Sequence, residues 1–127
     1  MGLVNNPILS PQSAQAAKVE LALLKLKGAN AAYALHQALF GMSGRIDGPK
    51  ALDAAASLGA ERAELERVAD GMEVRDMMGG QLRLSASLGL VATPSFLIGP
   101  AAILGYPGPT TMDRLVQATR QCGSPVC

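Results

Sequence analysis

The stretch that decides the fold is G-L-V-A-T-P-S-F-L-I-G, residues 89–99. A proline has no N–H to donate to a sheet, so it is confined to strand starts, edge strands and bulges. Pro94 followed by a short apolar run therefore predicts a strand over 95–98 that begins directly after a Thr–Pro bond. Two interpretations of that bond stay open: a trans proline that opens an edge strand, or a cis proline beside a functional site.

The elements on either side of this stretch follow from turn residues and apolar spacing. A Gly-Pro turn and a second apolar run predict a hairpin with a strand over 102–105, and Thr110 is expected to cap a helix over 111–121. On the N-terminal side, residues 3–9 indicate a short extended segment. Helical periodicity and capping residues then predict five helices. They lie over 11–27, over 31–40 with Asn30 as the cap, between the cap Asp47 and Gly59, over 61–69 and over roughly 73–88. Gly79 and Gly80 predict a bend or a break in the fifth helix.

Composition excludes several classes of protein. The 127 residues carry a net charge of +1 with only 3% aromatic residues, and acids and bases alternate along the chain. A nucleic-acid partner is therefore not expected, because no basic stripe or aromatic platform is present. No apolar run has the length of a membrane span. Residues 1–7 lack the pattern of a secretory signal, and the compartment stays open between bacterial periplasm and cytoplasm.

The cysteines, Cys122 and Cys127, both follow the last predicted helix. They indicate a disulfide or a redox pair, because the Gly-Ser-Pro-Val spacer is flexible enough to close a small ring. The negative end of a helix disfavours a thiolate, so the structural role is the favoured one. A metal site is not expected, because no cluster has ligand spacing and His36 is the single histidine. His36 borders an apolar stripe, which favours a packed structural role over that of a general base.

Three segments resemble DsbA-type thiol–disulfide oxidoreductases. N-P-I-L-S-P at 6–11 is similar to the end of that family's third strand, where its helical insertion begins. Y-A-L-H-Q-A-L-F at 33–40 resembles the family's aromatic-x-x-His-x-x-Leu-Phe helix. The stretch 88–99 resembles its Leu-Gly-Val-x-Gly-Thr-Pro-x-Phe segment, whose proline is cis, although Ala92 stands where glycine is usual. The family's Cys-x-x-Cys does not occur in residues 1–127.

The resemblance implies an α+β class and a truncated, DsbA-type thioredoxin-like fold. A helical insertion would pack on a small sheet that has a β-hairpin and a C-terminal helix. We expect one domain over 1–127, with the insertion at 11–88. Residues 1–10 and 89–121 would form a partial thioredoxin core, and residues 122–127 a flexible tail.

For function, the resemblance implies a role in thiol–disulfide exchange, with Ala92, Thr93 and Pro94 binding substrate backbone. No residue of the chain is predicted to be catalytic and no cofactor is expected. The implied partners are protein or peptide thiol and disulfide substrates, or a segment or partner chain that bears a Cys-x-x-Cys. Self-association is also expected, because an incomplete sheet leaves an open edge. The alternatives are a non-catalytic peptide- or protein-binding domain and part of a kappa-type glutathione transferase or isomerase.

Overall fold

The computed structural model describes residues 1–127 as six helices and one hairpin. In chain order these are α1 (Pro11–Lys27), α2 (Ala29–Phe40), α3 (Gly48–Ser57), α4 (Arg62–Ala69), α5 (Met72–Ser87), β1 (Ser95–Ile98), β2 (Ala101–Leu104) and α6 (Pro109–Cys122). The chain divides into two compact units, Met1–Leu82 and Arg83–Cys127, which we call the helical unit and the hairpin unit. A mostly helical chain with one small antiparallel sheet confirms the predicted α+β class.

Three helix starts follow directly from side chains that satisfy free N–H groups. The Ser10 hydroxyl accepts a hydrogen bond from the Ser13 N–H at 3.2 Å, before Pro11 opens α1. The Asp47 carboxylate accepts from the Lys50 N–H at 3.0 Å and so caps α3. Glu61 caps α4 in the same way. The first four N–H groups of a helix have no partner within it, which is why short polar residues fix these starts.

The structure differs from the sequence predictions at three helices. α2 begins at Ala29 after Gly28, so Asn30 lies inside the helix and does not cap it. α6 begins at Pro109 after Gly108, and no side chain caps it, so Thr110 is not the N-cap. Pro109 takes the first helical position because its fixed φ suits that position and its missing N–H costs nothing there. α5 runs without a break through the Gly-Gly pair, so the predicted break is absent.

The core lies in the helical unit. α1 packs against α2, α3 and α4. Buried leucines and alanines alternate at these contacts, so the helices approach closely. The largest fully buried apolar side chains are Leu21, Leu23, Leu35, Leu65 and Val74. The core is therefore built around α1, whose middle two turns are enclosed almost completely.

The hairpin unit is built differently. β1 and β2 pair antiparallel, with Phe96 opposite Ile103 and Leu97 opposite Ala102. α6 packs on β1. No apolar residue of this unit is buried, and Leu97 and Leu104 are each about half exposed. The two strands form a sheet by themselves, so both outer edges are unpaired.

Residues 1–10 do not form the predicted extended strand and belong to the helical unit. The Asn5 N–H donates to the Gln81 side-chain oxygen at 2.8 Å, and the Ile8 N–H donates to the Asn6 carbonyl at 2.8 Å. These local bonds, together with Pro7, replace the ladder that a strand would need. None of the helices combines the length and the hydropathy that crossing a membrane requires.

Candidate functional site

The loop before β1 is the candidate site, and hydrogen bonds fix it on both sides of Thr93. The Ser95 hydroxyl donates to the Ala92 carbonyl at 2.6 Å. The Gly105 N–H, which follows β2, donates to the Pro94 carbonyl at 2.9 Å. The Thr93–Pro94 peptide bond is cis. The loop is thus attached to the first residue of β1 and to the end of β2.

Thr93 itself is exposed and takes part in none of the hydrogen bonds within the chain. Its N–H and carbonyl are therefore free to pair with another backbone. An unpaired backbone next to an open sheet edge is the arrangement by which an extended peptide adds a strand to a sheet. The three residues that the sequence identifies, Ala92, Thr93 and Pro94, lie together at this place.

Two residues that brace the loop are missed by sequence reasoning. Ser95 and Gly105 hold the Ala92 and Pro94 carbonyls, yet neither position carries a motif. The aromatic rings of Phe96 and Tyr106 also meet beside it, with centroids 6.2 Å apart. A signal for Ser95 was present, because a serine directly after a turn often bonds a nearby carbonyl. Nothing in the sequence indicates Gly105.

The cysteines form a disulfide in the structure, between Cys122 in the last turn of α6 and Cys127. Residues 122–127, predicted to be a flexible tail, are joined to α6 at both ends by this bond. The two sulfurs lie 3.2 and 3.3 Å from the Ala118 carbonyl oxygen. That oxygen is at the negative end of the helix, where a thiolate is disfavoured. This chemistry does not suit an attacking nucleophile.

His36 has a packed role, as the sequence favours. Its Nδ1 lies 3.1 Å from a carboxylate oxygen of Glu20, whose side chain is 9% exposed. The imidazole ring also contacts Phe40, with centroids 4.5 Å apart, and stacks on Tyr33 at 6.4 Å. No nucleophilic side chain is among these partners. The pair with Glu20 is a buried polar contact that closes the α1–α2 packing.

No group of three or more histidine, cysteine, aspartate or glutamate side chains in residues 1–127 is arranged to hold a metal ion. The features described above that could take part in chemistry lie in two places. One is the Ala92–Pro94 loop with its free Thr93 backbone. The other is the cysteine pair at the end of α6. Both lie in the hairpin unit.

Solved structures provide two similar proteins. A thioredoxin-like oxidoreductase from Silicibacter pomeroyi DSS-3 superposes with a TM-score of 0.82 at 29% identity, over 93% of this chain and 66% of that one. Proteus mirabilis ScsC, in a compact conformation, gives a TM-score of 0.78 at 24% identity, over 93% and 64%. The chain thus spans just under two thirds of either protein. No curated protein matches it.

A family profile extends the likeness along nearly the whole chain. The DSBA-like thioredoxin domain matches residues 3–119, which include α1 to α5, the Ala92–Pro94 loop, the hairpin and most of α6. The two structural neighbours agree with this assignment in fold. Residues 1–127 therefore belong to the family of DSBA-like thioredoxin domains, which is related to thiol–disulfide oxidoreductases.

Proposed function

We propose that this chain provides the substrate-facing part of a thiol–disulfide exchange domain. In this proposal the Ala92–Pro94 loop binds the backbone of a protein or peptide that carries a thiol or a disulfide. The cysteines that exchange with it belong to a Cys-x-x-Cys segment that residues 1–127 do not contain. The family membership supports the class of chemistry, and the observation that carries the binding role is the free backbone of Thr93.

The neighbours of Thr93 support this role because they hold the loop while leaving its edge open. The Ala92 and Pro94 carbonyls are both occupied within the chain, so the loop does not need a ligand to define its path. A preformed site loses less conformational entropy on binding. Leu97 and Leu104 point to one face of the hairpin and are half exposed, which offers apolar contacts to a bound extended peptide.

A titration with an inert peptide tests the binding role. The peptide is extended and carries an S-methylated cysteine, so that no exchange occurs. We expect amide NMR shifts of the oxidised protein to change at 91–96 and to be much smaller in α1. Thr93→Pro removes the N–H donor, whereas Thr93→Val keeps it with a side chain of the same shape.

The two variants separate backbone pairing from side-chain contact. Losing one hydrogen bond costs about 0.5–1.5 kcal/mol, so Thr93→Pro should weaken binding by roughly 2- to 12-fold. Thr93→Val should bind within about twofold of the parent, because it keeps the backbone N–H and carbonyl that pair with the peptide and changes only an exposed side chain. An equal loss of peptide affinity in both variants, or amide NMR shift changes confined to α1, would contradict the proposal.

A second candidate is a binding domain without redox chemistry. The observation that favours it is that both cysteines of the chain are bonded to one another beside the Ala118 carbonyl. Both candidates use the same loop, so peptide binding does not separate them. The structural likeness to a thioredoxin-like oxidoreductase supports a role in thiol–disulfide exchange over that of a kappa-type glutathione transferase.

Turnover distinguishes the candidates. Residues 1–127 alone should reduce insulin with dithiothreitol no faster than the uncatalysed reaction, because they lack an activated thiolate. Adding a peptide that contains a Cys-x-x-Cys should increase the rate beyond the peptide alone if the exchange proposal holds. No increase at any ratio would favour the binding domain. Turnover by the chain alone, lost in Cys122→Ser/Cys127→Ser, would contradict both.

A further inference from the structure

The cysteine pair is chemically accessible although it is bonded. Cys122 and Cys127 are both exposed, and the spacer between them contains Gly123 and Pro125. We propose that this pair is a thiol–disulfide site in its own right, which accepts electrons from a dithiol and transmits its state to the hairpin turn. This inference concerns the end of α6 and does not depend on the Ala92–Pro94 loop.

The surroundings determine the direction in which the pair reacts. Both sulfurs lie against the Ala118 carbonyl oxygen, which would accept a hydrogen bond from a thiol and repel a thiolate. The reduced pair is therefore a poor nucleophile towards other disulfides. Arg120 is exposed on the same turn and opposes this effect only weakly. We therefore expect the disulfide to be reduced slowly by a dithiol. We do not expect the pair to catalyse repeated thiol–disulfide exchange.

The reaction balances with a dithiol as the reductant. One thiolate of the dithiol attacks either Sγ, the Sγ–Sγ bond breaks, and the released sulfur takes up a proton. The second thiol of the dithiol then attacks the mixed disulfide, which leaves a cyclic disulfide on the reductant and a second protonated cysteine on the protein. Two electrons pass to the protein. A monothiol is at a disadvantage, because the nearby free cysteine displaces it from the mixed disulfide intramolecularly.

Gly123 connects the ring to the hairpin. It lies inside the ring that the disulfide closes and ends α6 in the left-handed region, at φ 74°, with its N–H donating to the Thr119 carbonyl at 2.9 Å. Its carbonyl faces the turn between β1 and β2: a Cβ on Gly99 would lie 3.4 Å from it and 2.9 Å from the Thr119 Cγ2. Gly99 also has a positive φ of 58°.

The turn therefore rests on the helix cap that the disulfide encloses. When the bond opens, residues 123–127 are attached at one end only, and the cap conformation at Gly123 has to be held by a single backbone hydrogen bond. Because exposed helix ends fray when few contacts hold them, the support under Gly99 weakens. The change is carried by the close approach of Thr119 and Gly123 to Gly99 and needs no movement of the helical unit.

Amide hydrogen exchange on the intact chain tests the proposal. The oxidised protein is compared with protein equilibrated with dithiothreitol, and mass spectrometry counts the two added hydrogens. We expect measurable amides of 98–104 and 119–123 to exchange about fivefold or more faster after reduction, with α1 unchanged as the internal reference. Reduced glutathione at the same thiol concentration should leave most of the pair oxidised.

Two variants control the interpretation. Cys122→Ser/Cys127→Ser should show the reduced exchange pattern and no response to dithiothreitol. Thr119→Ser removes the Cγ2 that lies nearest to the Cβ position of Gly99 but keeps the hydroxyl that donates to the Leu115 carbonyl at 2.8 Å. It should diminish the response of 98–104 while 123–127 still respond. Absence of the disulfide in the oxidised protein, unchanged exchange at 98–104 on reduction, or equally complete reduction by glutathione would each overturn the proposal.

Discussion

The two units of the chain achieve order by different means. The helical unit contains every buried apolar residue, from Ala16 in α1 to Met78 in α5. The hairpin unit contains none, and a two-stranded hairpin is marginally stable by itself. This unit is held in place by local interactions: a disulfide, a left-handed helix cap, and hydrogen bonds to the residues on both sides of Thr93.

This difference has a functional meaning. A segment whose backbone is open to a partner cannot also be enclosed in a core, so the binding loop belongs to the region with few buried contacts. The helical unit can be stable without contributing any chemistry of its own. Mutations in the helical unit should therefore mainly reduce stability, whereas mutations in the hairpin unit should mainly reduce binding.

The largest predicted difference is in stability, when one leucine of each unit is replaced by alanine. Leu35 is 0% exposed in the helical core, whereas Leu97 is 52% exposed on β1. Leu35→Ala should destabilise the protein by about 2–5 kcal/mol, because it removes buried methyl groups and leaves a cavity. Leu97→Ala should cost about 1 kcal/mol or less. Urea unfolding followed by far-UV circular dichroism measures both, and similar costs would refute the contrast.

The next effect concerns the polar pair of His36 and Glu20 in the helical unit. His36→Phe keeps an aromatic ring between Tyr33 and Phe40 but removes the nitrogen that faces the Glu20 carboxylate. A buried carboxylate without its partner costs about 1–3 kcal/mol. Glu20→Leu combined with His36→Phe should recover most of that loss, because removing both partners leaves nothing unsatisfied.

The His36 experiment uses the same urea transition at neutral pH. The coupling between the two substitutions is obtained from the full double-mutant cycle. Additive costs, with no recovery in the double variant, would show that the pair contributes nothing beyond its packing.

The third prediction concerns self-association of the chain through the hairpin unit. Its open edges and the apolar face with Leu97 and Leu104 predict that the chain associates at high concentration. Leu97→Gln/Leu104→Gln should weaken this association about tenfold or more, because each leucine loses apolar area that a partner copy would bury. Analytical ultracentrifugation over a wide concentration range measures the change. A monomeric parent protein would refute the prediction.

Some of these features could be predicted from the sequence because their causes are local. Ser10 and Asp47 cap helices through residues only three positions away, and Pro94 marks the start of β1. With two cysteines in the chain, only one intramolecular pairing is available, and the structure contains it. The family-like stretch also singles out Ala92, Thr93 and Pro94, whose role in binding substrate stays a prediction.

Other features depend on contacts between residues distant in sequence. The partner of His36 is 16 positions away, and nothing distinguishes Glu20 from the other acids of the chain. The approach of Gly99 to Gly123 is set by how α6 lies on β1, which periodicity does not specify. The predicted strand over 3–9 fails for the related reason that a strand needs a partner, and none is available to it.

The smallest predicted effect compares two helix starts that look alike in sequence. The sequence predicts a capping role for both Asp47 and Thr110. Asp47 does cap α3, but α6 starts after Gly108 without a side-chain cap. Asp47→Ala should therefore cost about 0.5–2 kcal/mol, and Thr110→Ala only a few tenths, because no bond is lost. Urea unfolding gives the first value, and amide exchange in the first turn of α6 is the more sensitive measure of the second. Nearly equal protection of α6 in the parent and in Thr110→Ala is the expected result, since the threonine hydroxyl holds no N–H there. A loss at Thr110 as large as that at Asp47 would mean that the hydroxyl does cap α6 in solution, and that the start of this helix follows the sequence signal after all.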